Sequence, residues 1–172
     1  MAHLIGLILD RWRLWALAGS AAMLAIAHGF ETFGGLAPCT LCLRQREVYW
    51  AAMAAAAAGL ILTRLTRGRG WRIGANAVLA AIFAVGIGYA VYHAGAEWKF
   101  WPGPSACASG GAGAVRLEDL SGLMNGAKVK PPACDQAAWV FLGLSMAGWN
   151  ALISTKLTVL SLAAALRERA RP

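Results

Sequence analysis

Two cysteines three residues apart, Cys39 and Cys42, stand in "APCTLCLRQREVYW" (37–50) between apolar stretches, and Arg46 follows the second by four residues. Two more, Cys107 and Cys134, lie far apart in a later polar segment. Three chemistries use four cysteines. Zinc sites usually show two C-x-x-C knuckles, and the separation of Cys107 from Cys134 speaks against one, so no metal is expected. Two structural disulfides suit an oxidising compartment, but a bridge inside C-x-x-C closes a very small loop and constrains little chain entropy. A redox pair accounts better for the spacing. Closely spaced cysteines exchange partners readily, and the motif often carries a lowered thiol pKa.

A helix starting near Cys39 or Cys42 would put the thiols at its N-terminus, where the dipole favours thiolate. Arg46 would then share a face with Cys42, its side chain leaning back toward the sulfur. There it stabilises a thiolate or binds an electron acceptor; simple snorkelling is the alternative. Arg44 points elsewhere and suits a lipid headgroup. Leu43 after Cys42 excludes a haem-attachment C-x-x-C-H, and no dinucleotide fingerprint is present. A dithiol gives up two electrons on forming a disulfide, and a quinone dissolved in a bilayer accepts two. A lipid-soluble acceptor is therefore the economical expectation.

The rest of the chain must hold these residues at a membrane. Its 172 residues are 59% hydrophobic and 14% charged, against about 45–50% and about 25% in ordinary soluble domains. The net charge of +8 sits in short clusters beside apolar runs, which suits membrane orientation and anionic lipid. No polar, basic domain exists to bind nucleic acid. Uncharged runs at 14–30, 48–63, 73–96 and 136–155 approach the roughly 20 residues a spanning helix needs. The expected fold is an all-α membrane protein, a four-transmembrane-helix bundle with two extracytoplasmic cysteine-bearing loops. It forms one integral domain over 1–172, with spans near 14–33, 46–64, 73–95 and 137–156 and redox loops near 34–45 and 96–136.

Arg11, Arg13 and the small-x-small Ala25-Ile26-Ala27 also fit a signal peptide. An uncleaved helix is preferred, because apolar character continues to Phe33 and the bundle needs the partner. The flank with Arg11 and Arg13, the connection with Arg64, Arg67, Arg69 and Arg72, and the tail with Arg167, Arg169 and Arg171 share one side of a four-span chain. The positive-inside rule makes that side cytoplasmic and places all four cysteines outside, where disulfides persist. Trp12, Trp15 and Trp71 near inner ends, and Trp98, Trp101 and Trp139 near outer ends, read as interfacial anchors. In the second loop Leu117, Leu120 and Met124 fall on one face, so a surface helix or a merely compact loop is expected there.

"PCTLCLRQR" (38–46), "WPGPSAC" (101–107), "PPACD" (131–135) and "WVFLGLSMAGWN" (139–150) resemble the disulfide bond formation protein B (DsbB) family over essentially the whole chain. The resemblance implies a bundle in the bacterial inner membrane with both termini cytoplasmic and its cysteine loops periplasmic. It further implies reoxidation of a DsbA-like periplasmic thioredoxin-fold oxidase at the expense of ubiquinone or menaquinone. By the same resemblance Cys107 is attacked by the reduced partner, and Cys134 is its loop partner and exchanges with Cys39. Cys42 is then the thiolate facing quinone, while Arg46 and His93 belong to the quinone site. The spacing from His93 to the following proline and the shorter, Gly-rich second loop depart from the family pattern. A vitamin K epoxide reductase-like quinone reductase is the rival enzyme, although its C-x-x-C belongs near the end of the bundle. The rival outside enzymes is a membrane protein with structural disulfides. Glu31 and His28 form a polar pair near the outer end of the first span and are not included as site residues.

Overall fold

In lipid a backbone finds hydrogen-bond partners only within itself, so long apolar runs become helices. The computed structural model describes residues 2–66, 68–104 and 134–170. A short helix α1 (Ala2–Asp10) breaks at Arg11 and leads into α2 (Trp12–Thr32). Then come α3 (Thr40–Thr66), α4 (Arg69–Glu97), a two-stranded hairpin of β1 (Val140–Phe141) and β2 (Leu144–Ser145), and α5 (Met146–Ala170). Four of these helices, α2 to α5, are long and apolar enough to cross a membrane. The protein is a four-helix membrane bundle. Cys107 and the expected surface helix with Leu117, Leu120 and Met124 lie outside the described residues.

Small residues let the helices approach. Ala16, Ala52, Ala56 and Ala164 are fully enclosed beside Trp12, Leu24, Tyr49, Leu79 and Phe83. A side chain at Gly86 would meet Val48 and Ser154 at 3.1 and 3.3 Å, so glycine there holds α3, α4 and α5 together. The helix α4 packs along both α3 and α5, and α2 packs along α3. Apolar side chains such as Ile61, Val85, Leu152 and Val159 face outward, as lipid contact requires. At the end bearing the basic segments, Arg167 pairs with Asp10 at 2.8 Å and Arg69 donates to the Glu168 carbonyl at 2.9 Å.

Three local features differ from expectation. Trp12 is not a surface anchor: it is 3% exposed and donates to Ser161 Oγ at 2.8 Å, joining α2 to α5. Arg13 likewise points inward, donating to Asn76 at 3.3 Å. The segment expected to open the fourth span near 137 is instead the hairpin, with Val140 opposite Ser145 and Phe141 opposite Leu144. Its turn residues Leu142 and Gly143 both have positive φ (50° and 78°), the conformation of a two-residue hairpin turn. Ser145 then caps α5, accepting from the Gly148 amide at 3.1 Å. An unbroken apolar run does not by itself separate strand from helix, whereas this cap does.

The second span also starts earlier than near 46. With 27 residues, α3 is about 40 Å long at about 1.5 Å per residue, more than the hydrocarbon thickness of about 30 Å. Its first turns therefore stand at the interface, where Arg44, Arg46 and Glu47 are tolerated.

Candidate redox site

Pro38 biases the residue before it toward extended backbone and cannot extend a helix backwards, which leaves Cys39 as the residue before α3. Its sulfur takes the capping position: Cys39 Sγ accepts from the Cys42 backbone N–H at 3.3 Å. The two sulfurs are 2.8 Å apart, and both cysteines are free. The Cys39 thiol is pushed down to about 4, chiefly by the hydrogen bond from the Cys42 thiol, with help from His93 and the Cys42 amide; burial opposes the shift. The amide and thiol donors thus favour negative charge on Cys39 rather than on Cys42, where the family resemblance puts the thiolate, while Cys42 is the sulfur that faces the neighbouring cavity.

His93 comes from α4 and is buried, with Nε2 3.6 Å from Cys39 Sγ. Its Nδ1 lies 2.8 Å from Gln45 Nε2. Gln45 Oε1 accepts from Asn150 Nδ2 at 2.5 Å, and Asn150 Oδ1 accepts from Tyr49 Oη at 2.5 Å. In this arrangement the Gln45 amide donates to Nδ1, so neutral His93 carries its proton on Nε2, toward Cys39. A buried polar chain thereby links the dithiol to the centre of the bundle across α3, α4 and α5.

Arg46 lines the same cavity as Cys42, one turn deeper, as their spacing predicts. Its guanidinium is held from α2: Nη1 donates to Glu31 Oε2 at 2.6 Å and Nη2 to the Ala27 carbonyl at 3.1 Å. His28 Nδ1 approaches the same carboxylate oxygen at 3.7 Å. Arg44 instead pairs with Glu47 at 2.8 Å on the exposed side of the helix, so Arg44 and Arg46 are not equivalent. The cavity has a volume of about 350 Å³ and is walled mainly by apolar side chains from α2, α5 and the hairpin. Trp139 packs on Phe30 at 5.2 Å and stacks on Phe141 at 5.6 Å, forming its aromatic rim.

Cys134 is 1% exposed, is disulfide-bonded, and packs in one cluster with Cys39, Leu41 and Cys42. Lys99 secures this approach, binding both the carbonyl and the carboxylate of Asp135 at 2.7 and 2.6 Å. Of the six residues singled out from the sequence, Cys39, Cys42, Cys134, Arg46 and His93 come together; Cys107 lies outside the described residues. Sequence reasoning missed Gln45, Tyr49 and Asn150, and set Glu31 aside. Polar residues inside apolar runs were the available signal.

The DsbB family model, described as disulfide bond formation protein DsbB, matches residues 10–164. Disulfide bond formation protein B of Marinobacter nauticus is 33% identical over 150 residues, 86% of this chain and 86% of that protein. The protein of the same name from a Polaromonas species is 26% identical over 152 residues, 87% and 88% of the two chains. No solved structure matches. With the family's pattern covering nearly all of the bundle and its cysteine-bearing edge, the chain belongs to the DsbB family of disulfide bond formation membrane proteins.

Proposed function

We propose that this protein is a thiol:quinone oxidoreductase that reoxidises a DsbA-like thioredoxin-fold oxidase through two cysteine pairs. The observation that carries the reading is the placement of the first pair between two partners: Cys39 packs against Cys134, and Cys42 opens onto the cavity with Arg46. A thiolate of the reduced oxidase attacks Cys107 of a Cys107–Cys134 bridge, forming a mixed disulfide and releasing Cys134 as thiolate. Cys134 attacks Cys39 of the oxidised Cys39–Cys42 bond and releases Cys42. The oxidase's second thiol then displaces Cys107, which re-forms its bond with Cys134 and frees Cys39. Two electrons now reside on Cys39 and Cys42. The form with Cys134 bonded and the first pair free corresponds to this point of the cycle.

The cavity suits a quinone ring. A volume of about 350 Å³ is within the range of small-molecule sites, as is an apolar wall with a few convergent polar groups. When bound, ubiquinone or menaquinone supplies the acceptor for two electrons and two protons. Arg46 would bind a ring oxygen and favour negative charge there, while Glu31 and the Ala27 carbonyl orient its guanidinium. His93 would hold the Cys39 thiolate through Nε2–H and keep the pair in position to re-form its disulfide.

The proposed unit is a single integral domain over 1–172, multi-pass in the bacterial inner membrane, with cytoplasmic termini and periplasmic cysteine loops. Arg11 before α2, Arg64 in the last turn of α3, Arg69 and Arg72 at the start of α4, and Arg167 and Arg169 in the last turn of α5, all opposite the cysteines, support that orientation. The experiment is quinone-dependent reoxidation of a reduced thioredoxin-fold protein by the purified protein in detergent. Turnover with quinone, lost in Cys42→Ala, is expected. Equal reoxidation without quinone, or with Cys42 replaced, would refute the route.

A further inference from the structure

Glu97 ends α4 on the same face as His93, one turn further on. Its side chain is only 5% exposed, its Oε1 lies 3.7 Å from His93 Nε2, and its Oε2 has no hydrogen-bond partner among the described residues. A buried carboxylate oxygen without a donor is costly and calls for a cause. His93 Nε2 also faces Cys39, and the donor atoms of Cys39, Cys42 and His93 all lie within 4.8 Å of one another. Two thiols and an imidazole thus converge on one buried point, with the orphaned Glu97 carboxylate beside the imidazole.

We propose that the dithiol form binds one divalent cation of the zinc class through Cys39, Cys42, His93 and Glu97, and that this cation holds the pair reduced. The donor set is that of a borderline-soft metal. Bond lengths of about 2.3 Å to sulfur and about 2.0 Å to nitrogen or oxygen give tetrahedral edges of about 3.5 Å for S···N and about 3.3 Å for N···O. The Cys39–His93 distance of 3.6 Å and the His93–Glu97 distance of 3.7 Å are close to these. The sulfurs, 2.8 Å apart, must separate, by about 1 Å to reach the edge of about 3.8 Å between two zinc-bound thiolates, and Glu97, which lies beside the imidazole but outside the group formed by the other three, must swing toward them to complete the set. A side-chain rotation of Cys42, at the cavity wall, gives that room.

Binding changes no oxidation state. Each cysteine enters as thiolate, any thiol proton leaves to solvent, and the cation gains two sulfur bonds. The disulfide form cannot bind in this way, because both sulfurs are joined to each other. Ligation through Nε2 moves the neutral ring's proton to Nδ1, which then needs an acceptor. The Gln45 amide supplies one by turning over and presenting Oε1. Asn150 turns with it, and Tyr49, 3.4 Å from Ser154 Oγ, donates there instead. The polar chain reverses direction without losing a bond, so the second layer already accommodates the metal-bound tautomer.

The test is titration of the fully reduced protein in detergent with cobalt(II), followed by displacement with zinc. Expected are one equivalent of cobalt with sulfur-to-metal charge-transfer and tetrahedral ligand-field absorption, no such spectrum in the oxidised protein, and loss of it in Cys42→Ser. The spectrum should persist in Cys107→Ser/Cys134→Ser, which removes the other thiols. Glu97→Gln, nearly the same size, should weaken zinc binding by at least about tenfold. Absence of the charge-transfer band, equal binding by oxidised protein or by Cys42→Ser, or undiminished affinity in Glu97→Gln would overturn the proposal. The measurement uses neither quinone nor partner, so its failure leaves the oxidoreductase reading intact, and the failure of that reading leaves this one measurable.

Discussion

Glu31 acts on the proposed quinone site only through Arg46, and that makes its contribution separable. Its carboxylate holds Arg46 Nη1 at 2.6 Å, with side chains 14% and 29% exposed, while the Ala27 carbonyl gives a second, neutral restraint. Hydrogen bonds between charged groups contribute about 1.5–3 kcal/mol and neutral ones about 1 kcal/mol. Glu31→Gln keeps the shape and an acceptor oxygen but loses the charge, so it loosens Arg46 by about 1 kcal/mol after allowing for its partial exposure. At about 1.4 kcal/mol per factor of ten, the KM for quinone should rise about fivefold. Arg46→Ala removes the donor itself and should raise KM about 30-fold, for a loss of about 2 kcal/mol. In the Arg46→Ala background, Glu31→Gln should add nothing. The assay is steady-state reoxidation of a reduced thioredoxin-fold protein at varied quinone, with single-turnover exchange against the same protein measured separately and expected to be unchanged. Additive effects in the double variant, or an unchanged KM in Glu31→Gln, would show that Glu31 does not position Arg46.

Other outcomes follow from the same geometry. In the reduced protein, thiolate absorbance should titrate near pH 4 and vanish in Cys39→Ser. Since that folded value lies below the ordinary thiol value of about 8.5, the thiolate's stabilisation is complete above about pH 9 and is lost as pH falls through about 4; a midpoint in the ordinary thiol range would contradict the capping role. Gly95→Ala would drive a methyl group into the Trp101 indole, whose Nε1 donates to the Tyr92 carbonyl at 2.8 Å. A loss of about 1–3 kcal/mol is expected, read as a lower Tm, and an unchanged Tm would show that Trp101 yields freely. With the native cysteines replaced, single cysteines at Leu142, 77% exposed at the hairpin tip, and at Thr66, at the far end of α3, should label oppositely. An impermeant thiol reagent should reach only the former in cells with a permeabilised outer membrane, and the reverse pattern would invert the proposed orientation.

Much of the bundle was legible in one dimension because lipid imposes a one-dimensional rule: a run of uncharged residues long enough to span must form a helix. The C-x-x-C at a helix start, and Arg46 one turn beyond Cys42, follow from helical periodicity within α3 alone. The hairpin at 140–145 escaped because an apolar run carries no mark of where strand ends and helix begins, except the cap at Ser145. The partners across helices belong to the tertiary structure. Glu31 is 15 residues from Arg46, His93 is 54 from Cys39, and Asn150 is 105 from Gln45. Periodicity states which face of a helix a residue occupies, but the rotation of each helix about its axis, set here by alanine and glycine packing, decides which faces meet. That rotation turned His93 onto Cys39 and Glu31 onto Arg46.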